Sequence, residues 1–209
     1  MFKKTDRELI YAHPEWYIGQ YWTGSKWDND ALHVFMMVII REAVDSVSLN
    51  QCTRLKVVLE IEDEIIIEDN GLGLPVTPAS YVGDPDTPAL MRLLNWFIPT
   101  GDSTKVLYED YGFIAYFARV LNVLSSSLRI DTVREGQAYT VSCSNGEIVQ
   151  PLQKSDNNVL NQGTRIRFIP DSKIFPSPAF DKESLKKSLD ELASEFFEVT
   201  FEFTAVNDN

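Results

Sequence analysis

The stretch IIIEDNGLGLP, Ile65 to Pro75, decides how this chain is read. Ile65, Ile66 and Ile67 are what a buried strand uses, because β-branched side chains fill a pleated surface. The run then meets Glu68 and Asp69 and passes at once into Asn70-Gly71-Leu72-Gly73-Leu74-Pro75. Two glycines one residue apart let the backbone take unusual dihedrals and approach a neighbour closely. A carboxylate at the end of a buried strand needs a donor. Taken alone, however, Asp-Asn-Gly is a common turn, and the stretch reads as a plain hairpin-to-loop junction.

The flanks give it a setting. Upstream, Leu55, Val57, Leu59 and Ile61 alternate, and an acidic turn at Glu62–Glu64 leads back into Ile65, which predicts a β-hairpin. Before that, Leu32, Phe35, Met36, Ile39, Ile40, Ala43, Val44 and Val47 recur at spacings of three and four. This predicts an amphipathic helix, with Asp28–Asp30 supplying its cap. Downstream the spacing predicts a short helix near Ala89–Phe97, a loop to residue 110 and a helix over Tyr111–Leu124. Alternating segments broken by Arg134-Glu135-Gly136-Gln137 and Ser144-Asn145-Gly146-Glu147 predict further strands. A strand over Gly163–Pro170, a helix over Asp181–Phe197 capped by Asp181, and a closing strand complete the pattern. Helices and antiparallel strands mix without regular βαβ alternation. The predicted fold is therefore α+β, a two-layer sandwich of a mixed, mostly antiparallel sheet with helices on one face. Residues 1–30, rich in aromatics and without periodicity, read as an N-terminal arm, and residues 31–209 as a single domain.

Composition narrows the function. The chain has 209 residues, 44% of them apolar, as in a globular protein. Lys and Arg total 19 against 31 Asp and Glu, for a formal net charge of −12. That balance argues against direct nucleic-acid binding, since phosphate contacts need a basic face. Cys52 and Cys143 share no short spacing and read as reduced thiols. No signal-peptide core and no bilayer-length apolar run is present, so the expected location is cytoplasmic, with no membrane contact.

The order of five motifs carries a resemblance. HPEWYIG (13–19) resembles the Arg-Pro-Gly-Met-Tyr-Ile-Gly arm of type II topoisomerase ATPase domains. IIREAVDS (39–46) resembles the helix that carries their catalytic Glu and metal-holding Asn, and IEDNGLGLP (67–75) their Asp-Gly-x-Gly turn. VLNVLSSSLRIDTVREGQ (120–137) is similar to the helix and strand after their ATP lid, and GTRIRFIPDSKIF (163–175) to their Gly-Thr strand and Phe-x-Pro-Asp. In this order and spacing they resemble the gyrase B branch of the GHKL ATPases, which also include MutL, histidine kinases and a large heat-shock chaperone. The resemblance covers about residues 10–205.

It implies an adenine nucleotide, ATP or ADP with Mg²⁺. Asp69 would accept from the adenine amino group, with Gly71 and Gly73 letting the backbone pass close, and with Leu74 and Pro75 packing on the ring. Thr164 would support the same site and Ile166 would floor it. Glu42 would be the general base for the attacking water. Ala43 shares its helix, and Ser46 stands where the family has the metal-holding Asn, so any metal contact here falls to Ser46.

Three departures bear on hydrolysis. Ser46 is shorter than Asn, and Leu72 replaces the family's usual Arg. The stretch YGFIAYF (111–117) keeps only Gly112 of a glycine-rich lid whose backbone N–H groups wrap the triphosphate. The chain stops before a transducer domain, so a topoisomerase activity of its own is not expected. The reading is a gyrase B-like GHKL domain that binds an adenine nucleotide, with weak or absent hydrolysis. The alternative is a pseudo-ATPase serving as a protein-interaction or regulatory module with no nucleotide bound. A protein partner is expected in either case, and the arm implies a homodimer.

Overall fold

A computed structural model of the chain describes residues 5–18, 29–45, 52–60, 64–78, 86–95, 114–156, 159–175 and 181–206. Its centre is one seven-stranded sheet: β1 (Arg54–Leu59), β2 (Ile65–Asp69), β3 (Ser125–Arg134), β4 (Gln137–Ser144), β5 (Glu147–Lys154), β6 (Gly163–Pro170) and β7 (Thr200–Ala205). The spatial order is β5-β4-β3-β6-β2-β1-β7. All neighbours are antiparallel except β1 and β7, which run parallel. The mixed sheet with its helices is the α+β sandwich that the alternating patterns predict.

The hairpins form where the turn residues allow them. Glu135 and Gly136 join β3 to β4, and Asn145 and Gly146 join β4 to β5, with φ of 53°, 75°, 50° and 84° in turn. Two successive positive φ values match the right-handed twist of the flanking strands. Between β1 and β2, Leu59 faces Ile65, as the hairpin reading requires.

Alternation then sorts the two faces of the sheet. Leu55, Val57, Leu59, Ile65, Ile67, Leu128, Ile130, Val141, Ile166 and Phe168 point into a single buried core. Against them pack α3 (Asn29–Asp45), α4 (Ala89–Asn95), α5 (Ile114–Val123) and α6 (Lys182–Glu195). Leu32, Phe35, Met36, Ile39, Ile40 and Val44 form the buried stripe of α3, as their spacing predicts. Phe35 sits among Phe117, Phe168 and Phe175, at centroid distances of 5.8, 5.9 and 5.5 Å. The Asp181 carboxylate caps α6, accepting from the Glu183 and Ser184 amides. No helix among the described residues is long and apolar enough to cross a membrane.

The aromatic N-terminal stretch is more ordered than its lack of periodicity suggests. It contains α1 (Asp6–Ala12) and α2 (Glu15–Ile18). A capping box starts α1: the Glu8 amide donates to Thr5 Oγ1, and the Thr5 amide donates to the Glu8 carboxylate. Buried Arg119 of α5 then pins α1 to the body, donating to both oxygens of Asp6 and to the carbonyls of Leu94 and Gly146.

Candidate nucleotide site

Asp69 is the last residue of β2, where this interior strand leaves the sheet. Its neighbours are set by register: Leu55 lies opposite on β1, and Thr164 opposite on β6. The carboxylate accepts a hydrogen bond from the Gly71 amide at 2.8 Å. Burial pushes its pKa up to about 6, against the pull of the Gly71 and Thr164 backbone groups and with a smaller push from Glu68. A carboxylate held this way in a poor solvent environment is poised to accept from an incoming donor. Asn70 faces the other way. Its Oδ1 accepts from the amides of Thr53 and Arg54 and so ties the turn to the start of β1.

The glycine turn is seated on β3. Gly73 has φ of 79°, and a Cβ there would strike the Val133 carbonyl and come within 2.9 Å of Thr132 Oγ1. Only glycine lets the turn lie this close. Gly71 is not among the glycines with positive φ; its contribution is its N–H to Asp69, so the unusual dihedral belongs to Gly73 alone. Leu74 and Ile166 lie in the hydrophobic core, and Pro75, the residue after Leu74, is buried.

Thr164 is 3% exposed and belongs to a buried hydroxyl pair. Its Oγ1 lies 3.3 Å from Thr132 Oγ1. Thr132 in turn accepts from the Leu74 amide at 2.8 Å and donates to the Gly163 carbonyl at 3.2 Å. One hydroxyl hydrogen and two lone pairs are thereby used, with Thr164 as donor to Thr132. Arg134, at the end of β3, donates to the Gly73 carbonyl at 2.7 Å. Gly163 has φ of 102°, and a Cβ there would run into the Asp69 carbonyl. The turn after β2, the end of β3 and the start of β6 are thus locked together around Asp69.

Thr132, Arg134 and Cys52 were not assigned to the site by the sequence. Cys52 Sγ donates to the Arg54 carbonyl, and its thiol is pushed up by burial and then by the Asp69 charge. Thr132 could have been found only from the strand register, which pairs it with Thr164.

The remaining expected residues are Glu42, Ala43, Ser46 and Gly112. Glu42 and Ala43 are on the last turns of α3, and Ala43 packs at the edge of the core. Ser46 and Gly112 lie outside the described residues, as does Tyr111–Phe113 of the expected lid helix. From Ile114 the chain is helical, and Phe117 is turned into the core against Phe35. Among the described residues, no group of three His, Cys, Asp or Glu side chains could hold a metal ion.

No protein-family model matches the chain. Individual relatives do. The chain is 28% identical over 198 residues to the B subunit of the type 2 topoisomerase of Aquifex aeolicus, a match covering 94% of this chain and 24% of that protein. It is 29% identical over 195 residues to the B subunit of the DNA gyrase of Haloferax volcanii, covering 89% of this chain and 28% of the relative. This chain is a gyrase B-like domain. The B subunit of DNA topoisomerase 4 from Mycoplasma capricolum, 27% identical over 187 residues, shows the same extent of match. The gyrase B-like chain spans about a quarter of the length of the curated relatives it matches.

Proposed function

We propose that this gyrase B-like domain binds an adenine nucleotide at the Asp69 turn and hydrolyses it weakly or not at all. The observation that carries the reading is the half-buried Asp69 carboxylate at the end of β2, set opposite Thr164, whose hydroxyl is backed by that of Thr132. Asp69 offers an acceptor to an amino group, and Thr164 Oγ1, whose hydrogen goes to Thr132, keeps its lone pairs as a second acceptor on the neighbouring strand. Gly73 keeps side-chain bulk away from the β3 side of the turn. Weak hydrolysis follows from the sequence: a serine stands at 46, and the stretch 111–117 keeps only Gly112 of the glycines of the family's lid. Glu42 is the proposed base, and Ser46 the proposed Mg²⁺ contact. By the same resemblance the arm, residues 1–30, is proposed to meet a second copy of the chain.

The test is a thermal-shift titration with adenosine, ADP and a non-hydrolysable ATP analogue, each with and without Mg²⁺. A ligand at about a hundred times its dissociation constant stabilises by about 2.7 kcal/mol. Asp69→Asn keeps the acceptor for Gly71 N–H but places an amide donor before the ligand, so it should abolish the shift. A shift unaffected by Asp69→Asn would refute the site. No shift with any ligand would leave the turn as a structural junction and favour a protein-interaction module.

A further inference from the structure

Two arginines are buried in the helical layer, and their surroundings differ. Arg119 is 5% exposed, and its donors are taken up by Asp6, Leu94 and Gly146. Arg92 is 6% exposed, and neither Nη1 nor Nη2 has a hydrogen-bond partner among the described residues. A buried guanidinium without an acceptor is costly, and folded proteins rarely leave one so. The two cases lie one helix apart, so the difference is not a general looseness of the layer.

The backbone of the helix that carries Arg92 is tied to the segment that leaves the Asp69 turn. Helix α4 begins against that turn: the Leu90 amide donates to the Pro75 carbonyl at 3.1 Å, and the Ala89 amide to the Thr77 carbonyl at 3.0 Å. Its last turn is held by α5, since Arg119 and Asn122 both donate to the Leu94 carbonyl. Arg92 thus lies midway on a short helix strung between the glycine turn and α5. It is two residues past Leu90, or about 3 Å along the helix axis.

We infer that Arg92 is the anion-binding side chain of the proposed nucleotide site, its guanidinium fork taking two oxygens of a nucleotide phosphate. The inference rests on the adenine reading above. A planar fork of donors matches a phosphate in a bidentate pair.

The experiment compares adenosine, ADP and inorganic pyrophosphate by calorimetric titration on the full chain and on Arg92→Met and Arg92→Lys. Wild type should bind ADP at least about tenfold more tightly than adenosine, the scale of a charged hydrogen-bonded contact. Arg92→Met should erase that gap and leave adenosine binding unchanged, while Arg92→Lys keeps part of it. Because neither Nη of this buried group has an acceptor among the described residues, Arg92→Met without ligand should melt at or above the wild-type temperature. An unchanged gap in Arg92→Met would overturn the inference, as would a lower melting temperature without ligand, which would mean the guanidinium is already paired within the fold. Failure of the adenine reading shows separately, as no adenosine binding to wild type. In that event pyrophosphate that binds wild type but not Arg92→Met sustains the anion site, and pyrophosphate that binds both or neither overturns it.

Discussion

Asp69 faces opposite demands before and after a ligand arrives. In the unliganded fold burial raises its pKa to about 6, whereas an unfolded chain returns it to about 3.9. The folded state therefore holds a proton that the unfolded state releases between these values. This contribution to stability is fully present below the unfolded pKa and is lost as pH rises through about 6. An adenine amino group asks for the reverse, because it needs the charged carboxylate as acceptor. Adenosine affinity should weaken as pH falls through about 6, with the unliganded melting temperature rising over the same range. The quantity to measure is the difference between wild type and Asp69→Asn at each pH. A difference that stays flat would remove the buried-carboxylate argument. Gly73 and Gly136 offer a second residue-level test, having φ of 79° and 75°. A Cβ at Gly136 meets nothing within 4 Å, while one at Gly73 meets β3 backbone. Gly136→Ala should cost about 1 kcal/mol, the left-handed penalty alone. Gly73→Ala adds a clash with an unyielding carbonyl and should cost about 2–3 kcal/mol by denaturant melts.

The elements that the sequence made legible are those whose signals are local. The alternation of β1, the apolar stripe of α3, the Asn145-Gly146 turn and the Asp181 cap each sit within a few residues, and each appears in the fold. Helices α1 and α2, of 7 and 4 residues, were hidden because each is too short to show an apolar period, although Thr5-x-x-Glu8 is a capping-box signature available in the sequence. The Asp69 turn was legible as a motif. Its support was not, because the register of β2, β3 and β6 brings together residues 69, 132 and 164 from distant parts of the chain. The same limit hid Arg119, a lone cation in an apolar helix pattern. Its contacts predict that α1 is integral to the domain. Arg119→Met leaves the Leu94 and Gly146 carbonyls without this donor and removes its ion pair with Asp6. The expected cost is about 3 kcal/mol, as for breaking a buried pair. Chains of this size lose about 2–4 °C per kcal/mol, so a fall of several degrees should be plain in a melting curve. Asp6→Asn, which spares both carbonyl contacts, should cost less. Equal melting temperatures for wild type and Arg119→Met would mean that the α1 anchor contributes nothing.

At the scale of the whole molecule, charge is organised in two ways that respond differently to salt. The formal net charge is −12, a repulsion spread over the surface. The outer face of the sheet, away from the helices, instead alternates charge from strand to strand. Asp131, Arg165, Glu68, Lys56 and Glu202 occupy successive positions across β3, β6, β2, β1 and β7. Arg165 donates to Glu68 at 2.7 and 2.9 Å, and Arg54 reaches Glu68 at 3.4 Å and Glu202 at 3.6 Å. Cross-strand pairs of opposite sign stabilise a sheet by a few tenths of a kcal/mol each, up to about 1. They act at contact distance, where mobile ions barely enter, whereas the net repulsion acts over tens of ångströms. Raising ionic strength shortens the Debye length from about 30 Å at 0.01 M to about 8 Å at 0.15 M. That removes most of the long-range repulsion and leaves the contact pairs largely intact, so the melting temperature should rise across this range. Glu68→Gln weakens the ladder at its centre while relieving one negative charge. It should lower the melting temperature at 0.15 M more than at 0.01 M, since only at low salt does relief of repulsion offset the lost pairs. A melting temperature that falls with salt in wild type would mean that the ladder, not the excess acid, dominates the electrostatics of the fold.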